Sequence, residues 1–121
     1  VRNYKKLGAW QHADELTFQI YRVTREFPSS EMFGITSQLR RAAYSVPANI
    51  AEGSGRESNA DYLRFLSIAR GSLAETEYFL HLAYRLEYLS EDNWNQLTAQ
   101  MNQTFAALGG LMKAVRKSLE D

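Results

Sequence analysis

Cysteine is absent from this 121-residue chain. That excludes a disulfide framework and thiolate chemistry, and it fits a reducing compartment, so a cytoplasmic location is expected. Histidine occurs only at His12 and His81, and no Glu-x-x-His pair accompanies either. A di-metal centre in a helix bundle needs two such pairs, and a zinc site built without thiolates would have to recruit carboxylates. Neither a metal nor a cofactor is therefore expected. No apolar run approaches the ~18 residues of a membrane span, and the basic start Arg2-Asn3-Tyr4-Lys5-Lys6 leads into no apolar stretch, so neither a membrane segment nor a signal peptide is expected. Net charge is lacking too: 14 Lys and Arg face 14 Asp and Glu. A nucleic-acid binder usually carries a basic excess, so any such contact here requires a local patch. Neither a G-x-S-x-G elbow nor a Walker loop occurs. No enzymatic activity is expected.

Proline and glycine are scarce, with two and seven residues. They cut the chain into four segments, each with a helical period. In the first, residues 9–27, Ala13, Leu16, Ile20, Val23 and Phe27 recur at steps of three or four, and Pro28 stops the run. In the second, residues 35–52, the stripe is Ile35, Leu39, Ala42, Val46 and Ile50. Pro47 inside it predicts a kink, and Gly53 is placed for a left-handed C-terminal cap. The third, residues 59–89, opens on a capping box with Ser58 at the N-cap and Asp61 at the third helical position. It is apolar on several sides, which predicts burial against a second subunit as well as the core. The fourth, residues 91–119, is capped by Ser90 and carries Trp94, Leu97, Met101, Phe105, Leu108, Met112, Val115 and Leu119 as one long seam. Gly109-Gly110 interrupts it, either as a tolerated irregularity or because another backbone passes close by. The four segments, with short connections, predict an all-α, antiparallel up-down-up-down four-helix bundle formed as a single domain over residues 1–121.

The second segment carries another stripe. Gln38, Arg41, Ser45, Asn49 and Glu52 share one face beside the apolar one. A solvated face more often holds Lys and Glu pairs. The mixture of Gln, Arg, Ser and Asn suits a partly enclosed polar network that binds a ligand or sets assembly; an ordinary wet face is the alternative. Arg40, Arg56, Arg64 and Arg70 are candidate basic contacts nearby, offset in part by Glu57 and Asp61. Gly53-Ser54-Gly55 offers backbone donors to an anion or is a plain turn. Tyr62, Tyr78, Tyr84 and Tyr88 form an aromatic surplus suited to a protein interface.

The run Gln38-Leu39-Arg40-Arg41-Ala42-Ala43-Tyr44-Ser45-Val46-Pro47-Ala48-Asn49-Ile50-Ala51-Glu52-Gly53-Ser54-Gly55-Arg56 strongly resembles the signature of the bacterial four-helix-bundle family encoded in intervening sequences of 23S rRNA genes. That family was once labelled a ribosomal protein. Leu7, Trp10 and Ala13, then Phe27-Pro28 and Glu31, then Ala69-Arg70-Gly71-Ser72-Leu73-Ala74-Glu75 continue the likeness over about residues 4–119. The resemblance implies an up-down bundle that assembles into a ring-shaped homo-pentamer and has no established enzymatic activity. A related branch, the accessory proteins of diversity-generating retroelements, partners a reverse transcriptase and its RNA. RNA or an RNA-processing protein is thus an implied partner. This chain departs from that branch in being formally neutral rather than strongly basic. A protein–protein module without nucleic acid is the competing reading.

Overall fold

The computed structural model describes residues 2–120. Four helices form, α1 (Gly8–Thr24), α2 (Ser37–Ser54), α3 (Asn59–Arg85) and α4 (Glu91–Glu120). No strand occurs among the described residues. The packed pairs are α1–α2, α2–α3, α3–α4 and α1–α4, which is the square of an up-down four-helix bundle. One apolar core runs through all four helices. Leu16 and Ile20 of α1, Leu39, Val46 and Ile50 of α2, Leu66 and Leu73 of α3, and Leu97, Leu108 and Met112 of α4 are all buried in it. The expected seams are the buried faces except at Leu119, which is 47% exposed, and Val23, Trp94 and Phe105 are only partly buried.

Helix ends differ from the expectation in informative ways. α1 ends at Thr24, three residues early, because the backbone tightens into i→i+3 bonds up to Phe27. Pro28 disfavours a helical residue before it. Phe27 is buried all the same, its ring 5.4 Å from that of Tyr88. α3 stops at Arg85 rather than at residue 89. Glu87 there takes a left-handed φ of 64°, the Tyr88 N–H reaches the Ala83 carbonyl at 2.9 Å, and the Glu87 N–H reaches that of Tyr84 at 3.0 Å. This pair of bonds is a Schellman cap closed by a glutamate instead of the usual glycine.

Gly53 is not a left-handed cap. No described glycine has positive φ, and α2 continues through Gly53 to Ser54. Gly53 serves packing: a Cβ there would lie 2.7 Å from Phe65 Cβ and 3.1 Å from Tyr62 Cδ1. The end of α2 is closed by the Arg2 guanidinium, which donates to the carbonyls of Ser54 (3.2 Å) and Arg56 (2.8 Å) and to the Asn59 side chain. It also lies 4.4 Å from the centre of the Tyr62 ring. Burial pushes the Tyr62 hydroxyl above its ordinary pKa, and the Arg2 charge acts against that shift.

Pro47 is buried within an α2 that runs unbroken from Ser37 to Ser54. The proline removes the N–H that would have bonded the Ala43 carbonyl. Thr17 Oγ1 of α1 donates to that carbonyl at 3.1 Å, shared with its own-helix bond to Ala13 at 2.8 Å. The N-caps expected at Ser58 and Ser90 form, with hydroxyls accepting from the Asp61 and Asn93 N–H groups, both at 3.1 Å.

Between α1 and α2 the chain makes a 3₁₀ turn (Ser29–Glu31) and a π turn (Met32–Thr36). Glu31 Oε2 accepts from the Tyr88 hydroxyl at 2.8 Å, tying this connection to the end of α3. That bond raises the pKa of Tyr88. A Cβ on Gly34 would fall 2.7 Å from Glu31 Oε1, and Ile35 and Thr36 are buried. The turn is thus tied to the end of α3 by Glu31 and anchored by buried Ile35 and Thr36, yet Phe33 projects from it 95% exposed.

Candidate functional site

The polar stripe of α2 lies along the seam with α3 and divides into three local groups. Arg41 donates to Gln38 Oε1 at 3.1 Å and pairs loosely with Glu75 at 3.9 Å, and Gln38 and Arg41 are exposed. Ser45 bonds Ser72 of α3 at 3.0 Å, and Asn49 donates back to the Ser45 carbonyl and hydroxyl at 2.8 and 3.0 Å. Ser45 and Asn49 are half-buried, so only the middle of the stripe is enclosed. Exposed Glu52 accepts from Arg56 at 2.8 Å. The stripe's hydrogen bonds are met largely within the chain, and two of its contacts, Ser45 with Ser72 and Arg41 with Glu75, cross to α3.

The candidate basic residues separate in the same way. Arg56 contacts Glu52 and Asp61 and lies 4.5 Å from the Phe65 ring centre. Arg64 donates to Asp61 at 3.0 Å and covers the same ring at 4.5 Å. The Asp61 carboxylate therefore joins two arginines rather than completing the capping box. Arg40 donates to Thr24 Oγ1 at 2.8 Å and stacks on Tyr21 at 4.7 Å. Arg70 is exposed and has no ion pair among the described residues. Lys113, Arg116 and Lys117 of α4 share that condition. The sequence reading passed over them, although Lys113-Ala114-Val115-Arg116-Lys117 was the available signal.

Of the four tyrosines read as an interface, three are engaged internally. Tyr62 is buried, Tyr84 stacks on Trp94 at 4.3 Å and 12° while donating to Glu91 at 2.6 Å, and Tyr88 bonds Glu31. Tyr78 alone of these stands exposed, at the edge of a groove of about 430 Å³ between α3 and α4. Leu80, Met101 and Trp94 line this groove, with Glu77, His81, Thr98 and Asn102. Exposed aromatics also occur on the other two helices and their connection: Phe18 and Tyr21 on α1, Tyr44 on α2, and Phe33 in the turn that joins them. Sequence pattern had not singled these out, since each falls off a core stripe.

Three or more His, Asp or Glu side chains do not gather into a metal-ligand set among the described residues. No helix among them is long and apolar enough to cross a membrane. In the Gly53-Ser54-Gly55 segment the Ser54 carbonyl accepts from Arg2, the Gly55 N–H donates to the Glu52 carbonyl at 3.2 Å, and the Ser54 hydroxyl donates to the Ala51 carbonyl at 2.7 Å.

Comparison with known proteins follows from this geometry. No curated protein matches the sequence. Among solved structures, the chain is similar to a protein of unknown function from the S23 ribosomal protein family of Bacteroides thetaiotaomicron. Identity is 25%, coverage is 87% of this chain and 98% of that one, and the TM-score is 0.79. The profile of the 23S rRNA-intervening sequence proteins matches residues 5–110. With that match spanning most of its length, the four-helix bundle belongs to the 23S rRNA-intervening sequence protein family.

Proposed function

We propose that this protein is a non-catalytic association module, a rigid bundle that assembles with copies of itself and acts as a protein scaffold. The observation that carries this reading is Phe33, 95% exposed on a turn that the Tyr88–Glu31 hydrogen bond ties to the end of α3. A large aromatic held in water on a rigid support is what interfaces use as an anchor. Phe18, Tyr21 and Tyr44 add to it, and the Arg40 guanidinium stacks beside them. Tyr, Phe and Arg are the residues enriched where proteins meet. In this reading the stripe of Gln38, Arg41, Ser45, Asn49 and Glu52 holds α2 and α3 in register, so that the aromatic face keeps one shape. The homo-pentamer that the resemblance implies is one closed form of such an assembly. Light scattering across a concentration series tests the reading: a mass that rises above 13.9 kDa supports it, and a monomer throughout removes it.

A second reading, contact with RNA or an RNA-processing protein, is favoured by Arg70, Lys113, Arg116 and Lys117. These cations on α3 and α4 are exposed and without an ion pair among the described residues, as are Lys5, Lys6, Arg22, Arg25 and Arg85. Anisotropy of labelled structured RNA at about 50 and about 200 mM salt tests it, because phosphate contacts weaken steeply over that range. Binding that falls with salt and is lost in a Lys113→Glu, Arg116→Glu variant supports the reading; no binding at the lower salt removes it.

A further inference from the structure

The α1 and α2 helices and their connection carry outward-standing aromatics, whereas α3 and α4 border a groove. On the α1–α2 side the aromatics stand outward. Phe33 is 95% exposed, Phe18 59%, Tyr44 47% and Tyr21 37%, with Met32 47% exposed beside Phe33. Together they leave roughly 500 Å² of apolar side chain in water. That is the larger part of the ~800 Å² per partner that a stable interface covers.

The α3–α4 side is lined by small residues around the apolar groove. Ala74 forms one edge of the groove, and Gly71 stands exposed one turn before it on α3. On α4, Ala106 and Gly109 continue the row of Thr98 and Asn102 at steps of three and four, and both are exposed. A Cβ on Gly71, Gly109 or Gly110 would meet nothing within 4 Å. Each glycine inside a helix costs ~1 kcal/mol relative to alanine, and contacts within the chain explain none of the three. They leave a smooth surface on which another helix can come close. The groove, at about 430 Å³, is larger than a phenylalanine side chain. Its lining of Trp94, Tyr78 and Met101 supplies the ring edges and thioether that a phenyl group prefers.

We infer that a second copy of this chain seats its Phe33 in the α3–α4 groove, with its α1–α2 aromatic face against the Gly71, Ala74 and Gly109 surface. This rests on the association reading above and names its contact. The joined surfaces differ, so the contact is heterologous, and each copy offers both halves to its neighbours. It also accounts for the Gly109-Gly110 interruption of the α4 seam as room for a neighbouring helix.

The test uses the full chain, whose lack of cysteine makes introduced thiols unique. Phe33→Cys and Asn102→Cys are prepared separately, mixed and oxidised. The inference expects the mixed disulfide between the two variants to form faster than either same-variant dimer. Phe33→Asp is measured alongside by light scattering and thermal melting. It is expected to weaken association by roughly tenfold or more, as loss of an anchor does, with the melt of the bundle retained because the side chain touches little of its own chain. Wild-type association with no preference for the mixed disulfide and no effect of Phe33→Asp overturns this contact while leaving the association reading standing. A wild-type chain that stays monomeric at every concentration overturns both.

Discussion

Glycine 53 and glycine 71 sit inside α2 and α3 and carry the same helix-propensity penalty, yet their surroundings are opposite. Alanine at Gly71 enters open space. It stabilises the fold by about 0.5–1 kcal/mol, the usual gain for Gly→Ala in a helix interior. Alanine at Gly53 earns the same propensity gain, but its methyl would lie 2.7 Å from Phe65 Cβ. That atom is fixed to the α3 backbone and has no rotamer that moves it away. Overpacking of this kind costs about 1–3 kcal/mol, so the net effect is a loss of about 1 kcal/mol. The α2–α3 pair must part for the methyl to fit, and Ser45–Ser72 is the bond that reports it. With urea slopes of about 1–3 kcal/mol/M, the Gly53→Ala midpoint falls by roughly 0.5 M and the Gly71→Ala midpoint rises by a similar amount. Urea unfolding at low protein concentration, followed by far-ultraviolet circular dichroism, reads both. If the two variants shift in the same direction, the close approach of α2 and α3 at Gly53 is refuted.

Other consequences follow from single contacts. Glu87→Gly relieves a left-handed φ of 64° and raises stability by about 1 kcal/mol, a melting-point gain of roughly 3–6 °C; an unchanged or lower melting point contradicts the Schellman cap. Thr17→Val leaves the Ala43 carbonyl without its cross-helix donor and costs about 1–2 kcal/mol. In a Pro47→Ala background, where the helical N–H is restored, the same change costs less, and a double-mutant cycle measures the difference. The Tyr88 pKa is raised, first by its hydrogen bond to Glu31, then by burial and by the Glu31 charge. A raised folded-state pKa favours the protonated form, so this contribution is complete below the ordinary value of 10.0 and is lost as pH climbs through the raised one. Tyr88→Phe should flatten that part of the stability profile, and an unaltered alkaline decline in the variant would assign it elsewhere.

The bundle was legible because the period is strong. Leu16, Ile20, Leu39, Ile50, Leu97 and Leu108 all occupy the buried positions that the spacing assigns them. The Ser58 and Ser90 caps were legible from local chemistry. The end of α3 was not, since a glutamate occupies a position where glycine is the usual signal. Gly53 misled because a glycine near a helix end has two uses, turning the chain or admitting a neighbour, and only the partner at Phe65 decides between them. Pro47 breaks no helix because Thr17, thirty residues away in sequence, satisfies the carbonyl it frees. For the candidate site, the period groups Gln38, Arg41, Ser45, Asn49 and Glu52 along α2, but the partners Ser72 and Glu75 come from another helix. Exposed features were the least legible. Phe33 reads in sequence like any connection residue, and only the structure shows it 95% exposed on a turn tied to α3 by the Tyr88–Glu31 hydrogen bond.

Association through exposed apolar faces is the central claim, and sedimentation equilibrium of the unmodified chain tests it most directly. The account predicts a mass that climbs from 13.9 kDa to a multiple of it as concentration rises. A single species of 13.9 kDa at every concentration would contradict it.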